Sequence, residues 1–362
     1  SHNSLRARIV LRVVMVTRDF QSDTPLSEKT LALLSEIFGR NWASPEKLHH
    51  NSRQVAIHLA TAKESVAQML SIDPTELEIV GGASTALSLG ISGLLTDTAI
   101  HFYFGATDRR TSGAAATLFE KRGGRTTRLE SGSDGQINYS TITKSAVVTA
   151  WQSVNRETGV IQQSAPASGS ICADMTCEPY AELPTQWDTA IWEPASWGGP
   201  RGIGFLAINK SSTAWRNPGA QIADYRSAPD FSVPLFIASA VALEESFTTR
   251  DDAQIAGNYQ HFVTVLKSLR PDVIIAGETS PRTLRKISLI LPGIEAEEAL
   301  RSLEKSGFLV DSGSACITPE LHPSNVLKAM GLSQAGNLRV TLRENQSRQD
   351  CEELAKALAA LS

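Results

Sequence analysis

Apolar residues recur at helical spacing from Ser27 to Phe38 and again from Gln54 to Leu70, so the chain opens with two amphipathic helices. SIDPTELEIV then turns into a short strand, and GGASTALSLGISGLL follows as a glycine-rich turn opening a helix at Ala83 and Ser84. A strand, glycines and a helix N-terminus in succession present backbone N–H groups and the positive end of a helix dipole, a corner suited to a phosphate or carboxylate. Thr111 to Arg122 reads as another helix and RTTRLE as a strand. SAVVTAWQSV, GSICADM and TAIWEP are short apolar runs separated by turn residues, the pattern of a mainly parallel sheet covered by helices. After the long helical stretch SVPLFIASAVALEESF the order changes. TLRKISLILPG, EAEEALRSLEKSG, FLVDSGSA, NLRVTLRE and QDCEELAKALAAL read as strand, helix, strand, strand and helix. The expected organisation is a large α/β domain over residues 18–235 and a smaller α+β domain formed by 236–362 with the arm 1–17.

With 362 residues and a net charge of -4, both signs interspersed, the chain has ample core and no charge pattern calling for nucleic acid or an anionic membrane. No run approaches the roughly 20 apolar residues that span a bilayer. The basic, apolar start SHNSLRARIVLRVVMV is interrupted by Arg8 and Arg12 and reads as a strand or arm, not a signal peptide. Cys172, Cys177, Cys316 and Cys351 are too few and too scattered for a disulfide framework, and no pair of them stands with histidines at metal-ligand spacing. A reducing, cytoplasmic setting and no metal are expected.

SVNRETGVIQ, ICADM, GGPRGIG, DSGSAC, PSNVLKAMGLS and NLRVTL occur in the order and at the spacings of the cysteine desulfurases, a family of class V aminotransferases, and the resemblance runs from about Phe20 to the end. It implies a fold-type-I pyridoxal-phosphate (PLP) enzyme scaffold of the aspartate aminotransferase-like kind, usually a homodimer. It also implies roles. Asp174 in ICADM matches the aspartate that pairs with the pyridine nitrogen of the cofactor, and Asn155 in SVNRETG the asparagine at its phenolic oxygen. Arg339 in NLRVTL matches the arginine that holds the substrate carboxylate, and Cys316 in DSGSAC the nucleophile that accepts sulfur as a persulfide. Ala83 and Ser84 stand where the family's glycine-rich turn meets the phosphate, and Arg109 stands at the residue stacked over the ring.

Elsewhere the sequence departs from the family. The segment ending in GGP carries Ser-x-His-Lys in the family, the lysine forming the Schiff base with PLP. In IWEPASWGGP the lysine position falls on Ser196, the histidine on Ala195 and the phosphate-binding serine on Glu193, while a phosphate-binding threonine from the partner subunit falls near Asp230. No other lysine is near in sequence, since Lys144 and Lys210 belong to other segments. A serine supplies no amine, and each carboxylate facing a phosphate at about 4 Å costs several kcal/mol at an effective dielectric near 20. The expectation is a homologue without PLP-dependent catalysis that binds, scaffolds or regulates, in sulfur transfer or beside an active desulfurase paralogue. The alternatives are an enzyme holding PLP noncovalently and a cofactor-free persulfide carrier, both using Cys316.

In the absence of PLP, Arg339 either still meets a carboxylate or pairs with Glu193 or Asp230, and Asn155 and Asp174 either meet a ring or hold a strand end. Cys177 reads as a small apolar filler, His49 and His50 as structural residues. Trp192 and Trp197 bracket the altered loop and are large enough to occupy space a cofactor leaves.

Overall fold

A computed structural model describes residues 18–23, 25–143, 146–212, 231–313 and 324–361. In chain order the elements are α1 (Glu28–Arg40), α2 (His50–Leu70), β1 (Leu77–Val80), α3 (Ala83–Ser92), β2 (His101–Gly105), α4 (Arg110–Lys121), β3 (Arg125–Leu129), β4 (Val147–Gln152), β5 (Ser170–Asp174), β6 (Thr189–Trp192) and β7 (Gly204–Ile208). Then follow α5 (Val233–Thr249), α6 (Asp252–Leu269), β8 (Ile274–Ile275), β9 (Lys286–Ile290), α7 (Ala296–Lys305), β10 (Asp311–Ser312), α8 (Asn325–Ala329), β11 (Asn337–Thr341) and α9 (Arg348–Ala359). The expected helices are present, shifted by a few residues at their ends. α6 is an addition, its apolar stripe of Ile255, Tyr259, Phe262 and Leu266 diluted by polar neighbours.

The larger sheet has the order β1-β7-β6-β5-β4-β2-β3. Strands β2 to β6 run parallel, β7 lies antiparallel to β6, and β1 antiparallel to β7. Strands β4, β6 and β7 are buried along their whole length, as strands covered on both faces must be, which is why they read as continuous apolar runs. On one face α2 and α5 supply Val66, Leu70, Phe236 and Leu243 to a core shared with Trp192, Trp197 and Phe205. On the other, α3 supplies Ala86, Leu87 and Ile91 against Phe102, Val148 and Leu206. The smaller sheet, β10-β11-β9-β8, is antiparallel and packs against α6, α7 and α9 through Phe262, Leu303, Leu354 and Leu358. Phe20 is fully buried in this second core, and Asp19 bridges to Leu309, so the chain before α1 joins the smaller unit.

Two glycines of the opening turn and the GGPRGIG stretch meet. A Cβ on Gly204 would stand 2.3 Å from the carbonyl carbon of Gly82, so β7 and the start of α3 approach as closely as bare backbone allows. Gly198 ends the short turn after β6 at φ 83°, a left-handed conformation that glycine adopts without strain.

Candidate active site

In an open α/β sheet, ligands bind beyond the carboxyl ends of the parallel strands. Here a cavity of about 480 Å³ lies there, between the two sheets. Thr107 to Arg110 follow β2, Gln152 ends β4 and Asn155 to Glu157 follow it, Thr176 and Cys177 follow β5, and Glu193, Ala195 and Ser196 follow β6. Lys286, Asp311 and Arg339 to Thr341 reach it from the smaller sheet.

The residues singled out from the sequence are distributed unevenly around it. Ser196 lines the cavity, and its hydroxyl donates to the Glu193 carbonyl at 2.8 Å inside the turn Pro194–Trp197. Asn155 is buried and its side chain is fully engaged. Its amide donates to the Thr107 carbonyl at 3.1 Å and to Gln152 Oε1 at 2.9 Å, while its oxygen accepts from the backbone N–H groups of Glu157 and Thr158, both at 3.0 Å. Asp174 is buried outside the cavity lining, and its carboxylate accepts from the Thr176 N–H at 3.0 Å and the Thr176 hydroxyl at 2.5 Å. Both therefore work here as clamps on strand-end loops. Ala83 is buried at the start of α3. Ser84 is exposed and lines a second, open cavity of about 520 Å³ with Thr85, Ser88 and Arg110, which is common to both cavities. Cys316, Asp230 and Lys144 lie outside the described residues.

The arginines that were singled out are held in ion pairs. Arg109, N-terminal to α4, pairs with Glu193 at 3.3 Å, and Arg156 reaches the same carboxylate oxygen at 3.1 Å. The charge of Glu193 is thus met from two sides within the protein. Arg339 pairs with Glu157 at 3.7 Å, a partner not among those expected, and donates to the Ser312 carbonyl at 2.8 Å. Glu157 is itself held by the Ser324 hydroxyl at 2.6 Å.

Two expectations need correction. Trp192 and Trp197 do not fill the site: both sit in the core beneath it, Trp197 donating from its indole to the Ser239 carbonyl at 3.1 Å and packing on Phe205, and the cavity stays open. A lysine is also present. Lys286, distant in sequence, enters the cavity at the start of β9. The signal for it was a cation opening an apolar strand, which acquires meaning only with the pairing of β9 to β11.

His49 is structural, its ring accepting the Ser52 N–H as the cap of α2. Cys172, Cys177 and Cys351 are buried, and burial pushes each thiol up to about 12, so none of these three is a thiolate nucleophile at neutral pH. Burial also pushes the Asp108 carboxyl up to about 8, the Gly105 N–H opposing and the Asp174 carboxylate adding to the shift. Arg109, Arg110, Arg156, Arg201, Lys286 and Arg339 line the cavity against Asp23, Asp108, Glu157, Glu193 and Asp311. With Asp108 largely protonated at neutral pH, positive charge is in excess and an anionic ligand is favoured. Among the described residues no cluster of side chains suited to a metal ion occurs and no helix is long and apolar enough to cross a membrane.

A seven-stranded mixed sheet with one reversed strand, a second small sheet and a cavity between them define the fold-type-I architecture of PLP-dependent transferases. A solved NifS-like protein superposes with a TM-score of 0.80 at 15% identity over 94% of this chain and 98% of that one. The apo cysteine desulfurase of Thermococcus onnurineus NA1 does so with 0.76 at 15% identity over 94% of each. Among curated proteins, cysteine desulfurase IscS of Rickettsia typhi is 25% identical over 342 residues, 87% of this chain and 82% of that protein. IscS of Rickettsia akari is 24% identical over 341 residues, with the same shares covered. No family model matches the chain. In sequence the chain is thus similar to cysteine desulfurases over most of its length, and in fold to NifS-like structures.

Proposed function

We propose that this chain is a cysteine desulfurase homologue that has given up lysine-anchored PLP chemistry and uses its interdomain cavity to bind a small anion, acting as a binding or regulatory protein in sulfur transfer. The observation that carries this reading is the turn after β6, where Ser196 offers only a hydroxyl and Glu193 draws Arg109 and Arg156 into internal ion pairs. PLP fits these residues poorly. Asn155 has committed both amide hydrogens to protein oxygens, Thr176 takes one oxygen of Asp174, and Glu193 would set a carboxylate against the phosphate. In the family, bound PLP supplies an electron sink for bond breaking at the amino acid's α-carbon.

The chain's own residues support a different task. Arg339 retains the fork geometry for a carboxylate, and the excess positive charge of the cavity draws small anions in. In this reading the protein is a homodimer in the cytoplasm, beside an active desulfurase or a sulfur-acceptor protein. The test is catalytic. Incubated with L-cysteine and PLP, the protein is expected to release neither sulfide nor alanine above a protein-free blank. Cysteine-dependent release that disappears in Cys316→Ala would overturn the reading.

A further inference from the structure

Lys286 and Arg339 lie on one face of the smaller sheet. The β9–β11 register pairs Lys286 with Thr341 and Ser288 with Arg339. Residues two apart on a strand share a face, so Lys286 and Arg339 are diagonal neighbours, roughly 7–8 Å apart along the sheet. All three of Lys286, Arg339 and Thr341 line the cavity. The Lys286 amine donates to Thr341 Oγ1 at 3.3 Å and has no carboxylate partner among the described residues. Arg339 also has capacity to spare, because its Nε is buried without a hydrogen-bond partner among the described residues and its contact with Glu157 is long.

We propose that Lys286 and Arg339 together form a site for a small 2-oxo acid, whose carboxylate rests on the arginine and whose carbonyl carbon is captured by the lysine as a reversible imine. The inference rests on the proposed function only in treating the cavity as open to small anions. The lysine nitrogen adds to the carbonyl carbon, the C–O π pair passes to oxygen, and loss of water leaves a C=N bond. No electrons enter or leave, and hydrolysis restores both partners. Nucleophilic attack needs the neutral amine. Burial holds Lys286 below the ordinary lysine range, assisted by Arg343 and Arg156 and opposed by Cys177 and Asp311, which enlarges the neutral fraction. Thr341, directly across the strand pair, is placed to hydrogen-bond the nitrogen and fix its position.

Pyruvate with sodium cyanoborohydride at neutral pH tests the site by mass spectrometry of the whole protein and its peptides. The expected result is one reduced pyruvate adduct, mapped to Lys286, with labelling that saturates in pyruvate. Lys286→Arg should abolish it. Lys210→Arg, which alters an exposed lysine paired with Asp73, should leave it unchanged. Arg339→Met should raise the half-saturating pyruvate concentration about tenfold or more, the loss expected for one charge-assisted contact. Circular dichroism of each variant separates loss of the site from loss of the fold. An unlabelled wild-type protein, adducts scattered over surface lysines, or an Arg339→Met variant with unaltered saturation would overturn the paired site. So would trapping of PLP on Lys286 without trapping of pyruvate. Failure to trap pyruvate without cysteine-dependent sulfide release overturns this inference alone, whereas sulfide release removes the functional reading on which it draws.

Discussion

Replacing Asp108 by asparagine is expected to flatten the pH dependence of stability between about pH 4 and pH 8. The carboxyl is buried after β2. One oxygen accepts the Gly105 N–H at 2.7 Å and the other has no partner among the described residues. In the unfolded chain it titrates near 4, whereas burial raises it to about 8 in the folded protein. Across that window the native state retains a proton that the unfolded state has lost, so this group's contribution makes stability fall as pH rises and levels off above pH 8. The fall amounts to roughly 3–5 kcal/mol, the upper figure being the full shift converted to free energy. Asparagine keeps the acceptor for Gly105 and carries no charge. Urea unfolding should therefore give similar stabilities for the two proteins near pH 5 and a more stable variant at pH 8. Parallel curves across the range would show that Asp108 is ionised without penalty.

Trp192→Ala should cost about 3–5 kcal/mol, the range for truncating a large aromatic in a core that cannot close around the gap. Trp192 is 1% exposed on a strand buried on both faces, where it packs with Phe205 and Phe236. The same strand delivers Glu193 and the Ser196 turn to the cavity, so the variant should also loosen the pairing of Arg109 and Arg156. Denaturant unfolding measures the first effect, and hydrogen exchange at the backbone of residues 193–199 the second. A loss below 1 kcal/mol would mean that the core repacks around the gap.

Much of the large sheet was legible because its strands are continuous apolar runs set between glycines. Strand β1, Gly81, Gly82 and helix α3 could be read in order, and the close approach of Gly204 to the Gly82 backbone gives a physical reason for glycine at 204. The cavity was legible only by halves. Ser196 and Glu193 follow a strand end in sequence, but which arginines reach Glu193 depends on loops after β2 and β4 converging on it. Glu157 as a partner of Arg339 was hidden for the same reason, since it meets the arginine across the two sheets. Lys286 was invisible until the β9–β11 register placed it beside Arg339, a juxtaposition fixed by pairing across about 50 residues of chain. The tryptophans misled because size alone says nothing of direction. Side chains alternate across a strand, and the turn that presents Ser196 to the cavity turns Trp197 towards α5.

The central claim, that lysine-anchored cofactor chemistry has been lost, is tested most directly by the near-ultraviolet and visible absorption of the purified protein, before and after excess PLP followed by exhaustive dialysis. The account predicts no cofactor band in either sample. A band that survives dialysis would contradict it, and Lys286→Arg would then tell whether the amine on β9 has taken over the anchoring role.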